Sequence, residues 1–292
     1  MTRCILALFF TFVTVGHAQD NLKANLEKTY GTWRRALINK DAATWQRVTA
    51  EHRRVEVWNR IVSEKRTFPA ALFDLPAMLP LLGNLKFLEA KQKGSTAKSA
   101  YFGKVDFGVG SEPTDNLLVL SFIRGAGEWL YDKADFVNLT ALPEVRTELA
   151  AGDLSYLRGV TEAQPSGVVP LTPITTNPAT TIAKVYVFSP GREVKVQVNK
   201  ISRHRFANTM EAEIIIGGAL AGANEVQYSI QKLEEGTGEE ALTIRVYLMS
   251  EVEGIKPIKV FEYQVPEKGT FSPFGTGHFN LDAAAVSKLS GK

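Results

Sequence analysis

Residues Phe122–Phe136 read FIRGAGEWLYDKADF, and this stretch decides the fold of the first half of the chain. The apolar run NLLVLSFI (Asn116–Ile123) leads into it with the composition of a buried strand. Gly125 and Gly127 permit the positive backbone angles of a tight turn, so the chain is expected to reverse there. On the outgoing strand, alternation puts Trp129, Tyr131 and Lys133 on one face. The stretch therefore reads as an antiparallel hairpin with a tryptophan among charged neighbours.

Upstream, LKFLEAKQ and SAYFGKVDF flank KGSTA as a second hairpin. Before it the pattern is helical. Asp20 can cap a segment in which Leu22, Leu26, Tyr30, Trp33 and Leu37 form one apolar stripe. Asp41 can cap a shorter helix with Trp45 and Val48, and a third helix carries Val55, Trp58, Ile61 and Val62 on one side. Pro69, Pro76 and Pro80 then end helical periodicity. Downstream, Pro143–Gly159 reads as a helix with Pro143 in its first turn. Residues 160–181 hold Pro165, Pro170, Pro173, Pro178 and a run of threonines, the composition of an extended linker. From Ile182 the period becomes two, in short runs such as KVYVF, EVKVQV and ALTIRVYLM separated by glycine-rich turns. Six or more such strands with no helix between them predict an antiparallel β-sandwich.

The N-terminus addresses the compartment. Arg3 precedes the apolar run CILALFFTFVTV, and small residues follow at Gly16 and Ala18, the pattern of an export signal cleaved after Ala18. The apolar run is too short for a hydrocarbon core of about 30 Å, so no integral membrane segment is expected after cleavage. Cys4 is the single cysteine and lies in this leader, so the mature chain has neither disulfides nor thiolate chemistry. Removing Arg3 from the 34 basic residues leaves 33 against 31 acidic, a formal charge of +2 that gives no reason to expect nucleic acid. The expected organisation is a leader over 1–18, an α+β domain over 19–159, the linker over 160–181 and the sandwich over 182–292.

The first domain resembles the NTF2-like superfamily, the SnoaL and ketosteroid-isomerase-like fold. The resemblance rests on W-x-x-A-L at Trp33–Leu37, on Lys40-Asp41 followed by Trp45, and on the hairpin with G-E-W at Gly127–Trp129. These motifs lie between about Asn21 and Leu139. The resemblance implies an α+β cone, a curved antiparallel sheet wrapped around helices, enclosing an apolar pocket. Such a cone implies a small apolar ligand, and homodimers can form through its sheet. The large aromatic side chains expected to line it, Tyr30, Trp33, Trp58, Tyr101, Trp129 and Tyr131, are the candidate ligand-binding residues. Trp129 is expected to be mostly buried near Tyr30, Trp33 and Leu37. The sandwich resembles no particular family.

Acid–base chemistry in a cone needs a carboxylate or imidazole facing a dry pocket. His52, Asp74, Asp106 and Tyr101 are the residues of suitable type, but no motif fixes any of them in a catalytic role, and they read as structural or surface groups. Residues 34–66 are rich in lysine and arginine, which suits either anionic glycans and lipid headgroups or solvated helix faces. Arg203-His204-Arg205 reads as the outward side of a strand. GGALAG (Gly217–Gly222) reads as a flexible inter-strand loop, and EEGTGEE (Glu234–Glu240) as a charged hairpin tip rather than a calcium site. No cofactor, metal set or catalytic constellation is apparent. The leading expectation is an exported, non-catalytic protein that binds a small apolar ligand, or a protein or glycan partner, at the cell envelope or outside it. The alternatives are an isomerase or dehydratase acting on a small apolar substrate, and a scaffold whose cone is filled by its own side chains.

Overall fold

The computed structural model describes residues 13–75, 79–106 and 112–291, with side chains from Asp20 onward. Most of the expected leader, the Pro76 break and the Phe107 end of SAYFGKVDF lie outside the described residues. Helices come first and three antiparallel sheets follow. The chain divides into two compact units, the first from residues 1–54 and 72–172, the second from residues 55–71 and 173–292. The division at 172/173 falls inside the 160–181 segment. Residues 55–71, expected in the first domain, group with the second unit.

In the first unit, α1 (Val13–Ile38) is continuous across Ala18–Gln19. Its stripe of Leu26, Tyr30, Trp33 and Leu37 is buried. A short α2 (Ala42–Val48) starts at Asp41, whose carboxylate accepts the Thr44 N–H at 3.0 Å. The first residues of α3 (Glu51–Ser63) complete the helical part. Strands β1 (Lys86–Lys93), β2 (Thr96–Val105), β3 (Thr114–Gly125) and β4 (Glu128–Asn138) pair in that order, each antiparallel to the next. β3 is buried on both faces because each face has a cover. Phe122 meets Tyr131, which stacks on Trp33 of α1. Leu117 and Val119 share a core with Leu149 of α4 (Pro143–Ala151) and Leu157 of α5 (Ser155–Gly159). The single helix expected over 143–159 is split because Gly152 closes α4 in the left-handed conformation, at φ 94°.

The β3–β4 turn differs from its expected geometry. Gly125 pairs with Glu128, so the loop is two residues long and both of them carry positive φ: Ala126 at 47° and Gly127 at 93°. The register puts the left-handed requirement on Ala126 instead of Gly125. A second departure follows in β4. Ser121 pairs with Lys133 and Phe122 with Tyr131, which leaves Asp132 as the extra residue of a β-bulge. Tyr131 and Asp132 are therefore both buried while Lys133 is exposed. Trp129, Tyr131 and Lys133 do not share one face.

In the second unit, residues 55–63 of α3 anchor the proline-rich segment. Asn59, which is buried, donates to the Ile174 carbonyl at 2.9 Å and accepts the Thr176 N–H at 2.9 Å. Strands β5 (Ile182–Phe188), β6 (Arg192–Val198), β7 (Ser202–Ala207), β8 (Met210–Ile214), β9 (Gly222–Lys232), β10 (Leu242–Met249), β11 (Ile258–Val265) and β12 (Phe274–Leu281) form two antiparallel sheets, and α6 (Ala283–Leu289) ends the unit. Their orders are β11-β10-β5-β8 and β12-β9-β6-β7. Inward residues of both sheets, among them Val185, Val187, Val194, Val196, Ile244 and Val246, belong to one core. GGALAG is packed instead of open: a Cβ on Gly218 would lie 2.3 Å from the Thr181 carbonyl oxygen, and Ala219 is buried. β12 was not apparent in the sequence because Gly275 and Gly277 interrupt its alternation. A Cβ on either would collide with the ring of Tyr228 or Phe261, so these rings take the space.

Candidate functional site

The interior of the first unit is built around three rings. Tyr30 and Trp33 lie on one stripe of α1 because they are three residues apart. Tyr131 reaches them from β4, with ring centroids 3.7 Å from Trp33 and 6.0 Å from Tyr30. The rings fill the space between helix and sheet at that point. Beside them a cavity of about 510 Å³ remains, lined by Tyr30, Leu81, Leu82, Leu85, Phe87 and Tyr101, with Lys23, Glu27, Arg34 and Arg35 also on its wall.

Its polar groups are organised. The Tyr101 hydroxyl donates to Glu27 at 3.2 Å, and the Tyr30 hydroxyl donates to the Pro80 carbonyl at 3.0 Å. Burial pushes both phenol pKa values up, so both hydroxyls stay protonated and act as donors, not bases. Lys23 sits 4.5 Å from the Phe87 ring centroid and 3.9 Å from Glu27. Arg34 donates to the Leu79 carbonyl at 2.8 Å. The lining carries three cations and one carboxylate around an apolar floor, an arrangement suited to an apolar molecule with an acidic end.

The six aromatic candidates do not form one site. Tyr30 and Tyr101 line the cavity. Trp33 and Tyr131 are buried against each other behind it. Trp58 belongs to the second unit, where it stands edge-on to Phe68 and donates to the Thr176 carbonyl at 3.2 Å. Trp129 is half-buried and lines a separate, polar pocket. The expectation that it is mostly buried fails because the α1 residues opposite it are Asn25, Lys28, Thr29 and Thr32, not the aromatic stripe.

Among the acid–base candidates, Asp74 and Asp106 are exposed. His52 is not a surface group. It is 4 % exposed, and its Nε2 lies 2.8 Å from Oδ1 of Asp132, which is 7 % exposed. The bulge turns Asp132 inward, and the chain entering α3 is held to the same point by a hydrogen bond from the Ala50 N–H to the Tyr131 carbonyl at 2.8 Å. Neither residue of the pair is on the wall of the 510 Å³ cavity. Sequence reasoning could not find this pair, because its members are 80 residues apart and Asp132 faces inward only through the bulge.

The second unit holds another network, buried at Ser202 and His204 and exposed at Glu213. Ser202 Oγ lies 2.7 Å from His204 Nε2, and His204 Nδ1 lies 2.6 Å from a Glu213 carboxylate oxygen. The order is that of a hydrolase triad. Ser202 is fully buried, however, and its oxygen already accepts the Ile216 N–H at 2.7 Å, so no substrate carbonyl can reach it. The network ties β7 to β8. Arg203 and Arg205 are exposed on the other side of β7. EEGTGEE is not a simple tip: it folds over the fully buried Arg192, which donates to the Gly238 carbonyl at 2.7 Å and to the carbonyl of Glu240. The basic stretch 34–66 is divided between the two units.

Among the described residues no helix is long and apolar enough to cross a membrane, and no group of three or more His, Cys, Asp or Glu is placed to hold a metal ion. Comparison of the chain with protein-family models, with curated proteins and with solved structures found no match.

Proposed function

We propose that the chain is an exported, non-catalytic binding protein, built from an NTF2-like cone and a β-sandwich, whose cone takes a small, largely apolar ligand. The observation that carries this reading is the 510 Å³ cavity beside Tyr30 and Tyr101, with its apolar floor and its cations Lys23, Arg34 and Arg35. A self-filled scaffold has less support, because this space is not occupied by the stacked rings of Trp33 and Tyr131. Export rests on the charged, apolar and small-residue pattern of residues 1–18. The sandwich reading rests on two four-stranded sheets with a common core. A homodimer through the first unit's sheet has less support, because α4 and α5 cover Leu117 and Val119 on the face turned away from α1.

Anilinonaphthalene sulfonate, an apolar dye with one acidic group, tests the cavity. Its fluorescence should rise saturably with the wild-type protein and fail to rise with Leu82→Trp, which fills the space, at unchanged melting temperature. Equal dye binding by a natively folded Leu82→Trp protein would overturn the assignment. Sequencing the N-terminus of protein isolated from its own cells tests export, with Gln19 expected first.

A second reading, an isomerase or dehydratase, has one observation in its favour: the buried His52–Asp132 pair, whose carboxylate can orient and charge-stabilise the imidazole as a base. Its test is solvent deuterium incorporation into an apolar cyclic ketone. Exchange by wild type that is lost in His52→Gln supports it, and no exchange by a folded wild type opposes it.

A further inference from the structure

The pocket that holds Trp129 has a different chemistry from the cavity above. It measures about 270 Å³ and lies between α1, α2 and the β3–β4 turn. Lys28, Arg47 and Arg124 line it, and Glu128 is the one carboxylate on its wall. Among the described residues none of the three cations forms an ion pair. Asp41, close enough for Arg47 to act on electrostatically, already caps α2. The wall itself therefore carries a formal charge of +2, and Asp41, outside the wall, offsets only part of it at Arg47.

Three elements from distant parts of the chain contribute one cation each, and their anchoring is specific. Thr29 Oγ1 donates to the Trp129 carbonyl at 3.1 Å, which ties the start of β4 to α1. The two-residue turn aims Arg124 and Trp129 from directly paired positions, with the guanidinium carbon 5.7 Å from the indole ring centroid. Arg124 is thus held at the pocket by a cation–π contact that leaves its N–H donors available. Asn25 and Thr32 add further polar groups.

We propose that this pocket binds a phosphomonoester carried on a single sugar ring, the phosphate held by Lys28, Arg47 and Arg124 and the ring set against Trp129. A phosphomonoester carries a charge of about −1.5 to −2 at pH 7, which matches the wall better than a single carboxylate does. The two guanidinium groups offer paired donors to phosphate oxygens. The volume is below the range of roughly 300–1,000 Å³ typical of drug-sized ligands, which favours a monosaccharide over a nucleotide. Trp129 supplies a flat apolar surface beside the charge, a feature that inorganic phosphate alone would not use.

Calorimetric titration with glucose phosphate, inorganic phosphate and free glucose, at constant ionic strength, tests the site. Saturable binding of glucose phosphate is expected, with inorganic phosphate about tenfold weaker and no binding of glucose. Arg47→Ala and Arg124→Ala should each weaken glucose phosphate at least about tenfold, the loss of a charged hydrogen-bonding partner. Trp129→Ala should weaken glucose phosphate more than inorganic phosphate, which loses only the ring's hold on Arg124. Lys28→Gln, on an exposed helix position, gives an independent variant should either arginine change impair folding. Binding of inorganic phosphate or free glucose as tight as that of glucose phosphate would overturn the proposal, as would unchanged affinity in natively folded Arg47→Ala or Lys28→Gln protein. The dye experiment with Leu82→Trp addresses the other cavity, so the two sites fail or stand separately.

Discussion

The two units solve the burial problem with different side chains. The second packs β-branched residues, Val185, Val187, Val194, Val196, Val198 and Val246 among them, into one closed core between two sheets. The first packs rings, Tyr30, Trp33, Phe122 and Tyr131, between a helix and a sheet, and it leaves cavities beside them. Valines at alternate positions set their own register and fill space in small increments. Large flat rings touch one another at a few preferred angles and cannot fill every gap left by a helix crossing a sheet. The first unit's cavity of about 510 Å³ thus lies beside rings, whereas the second unit's pocket of about 520 Å³ lies over β6, β7 and β9, among Lys195, Arg203 and Arg205. Cations line pockets in both units, these three in the second, where the buried Arg192 and His204 are in addition committed to backbone and carboxylate partners.

The largest effect that sharpens this contrast is in the ring cluster. Trp33→Ala should cost about 3–5 kcal/mol in denaturant unfolding, since it removes a buried ring stacked on Tyr131. A cost below about 1 kcal/mol would mean that the rings do not form the core of that unit. Next is Arg192→Met, which leaves the Gly238 and Glu240 carbonyls without their donor and should destabilise by about 2–3 kcal/mol. A neutral or stabilising outcome would show that the second unit needs no buried polar anchor. Trp129→Ala should cost only about 1 kcal/mol, because that ring is half-buried at the mouth of a pocket. A cost like that of Trp33→Ala would place it in the core after all.

The smallest effect is a pH dependence at the turn over Arg192. The Glu240 carboxyl is held down to about 2, chiefly by the Thr237 N–H at 2.6 Å and then by neighbouring N–H groups, from an ordinary value of 4.5. A depressed folded-state value means that the unfolded chain binds the proton first. The stabilisation is therefore fully present above about pH 4.5 and fades as pH falls toward about 2. Acid denaturation of Glu240→Gln beside wild type checks this: the difference between them should shrink across that window. A difference that stays constant down to the lower end would contradict the assigned bonds.

Local signals in the sequence reached the helix stripe, both hairpins of the first sheet and most strands of the second unit. Leu26, Tyr30, Trp33 and Leu37 are legible because helical spacing alone sets their common face. The β4 bulge was not legible: Trp129, Tyr131 and Lys133 alternate without interruption, and the extra residue is fixed by the Ala50–Tyr131 and His52–Asp132 bonds, which come from far along the chain. The same holds for Trp58, whose helix reads as continuous with the first unit while its partners Phe68 and Thr176 lie in the second. Arg192 escaped notice because an arginine on an alternating strand reads as an outward side chain, whereas here the EEGTGEE carbonyls fold back to receive it. In each case a deciding contact is long-range, 118 residues for Trp58–Thr176, 80 for His52–Asp132 and 46 for Arg192–Gly238.

The central claim, that the ring-built unit keeps an open site, is tested most directly by a crystal structure of the full chain with anilinonaphthalene sulfonate. The account predicts density for the dye between α1 and β2, its rings against Phe87 and Tyr101 and its sulfonate toward Lys23, Arg34 or Arg35. Finding that space closed by the side chains of Leu81, Leu82 and Phe87, with no dye in it, would contradict the account and leave the unit a self-filled scaffold.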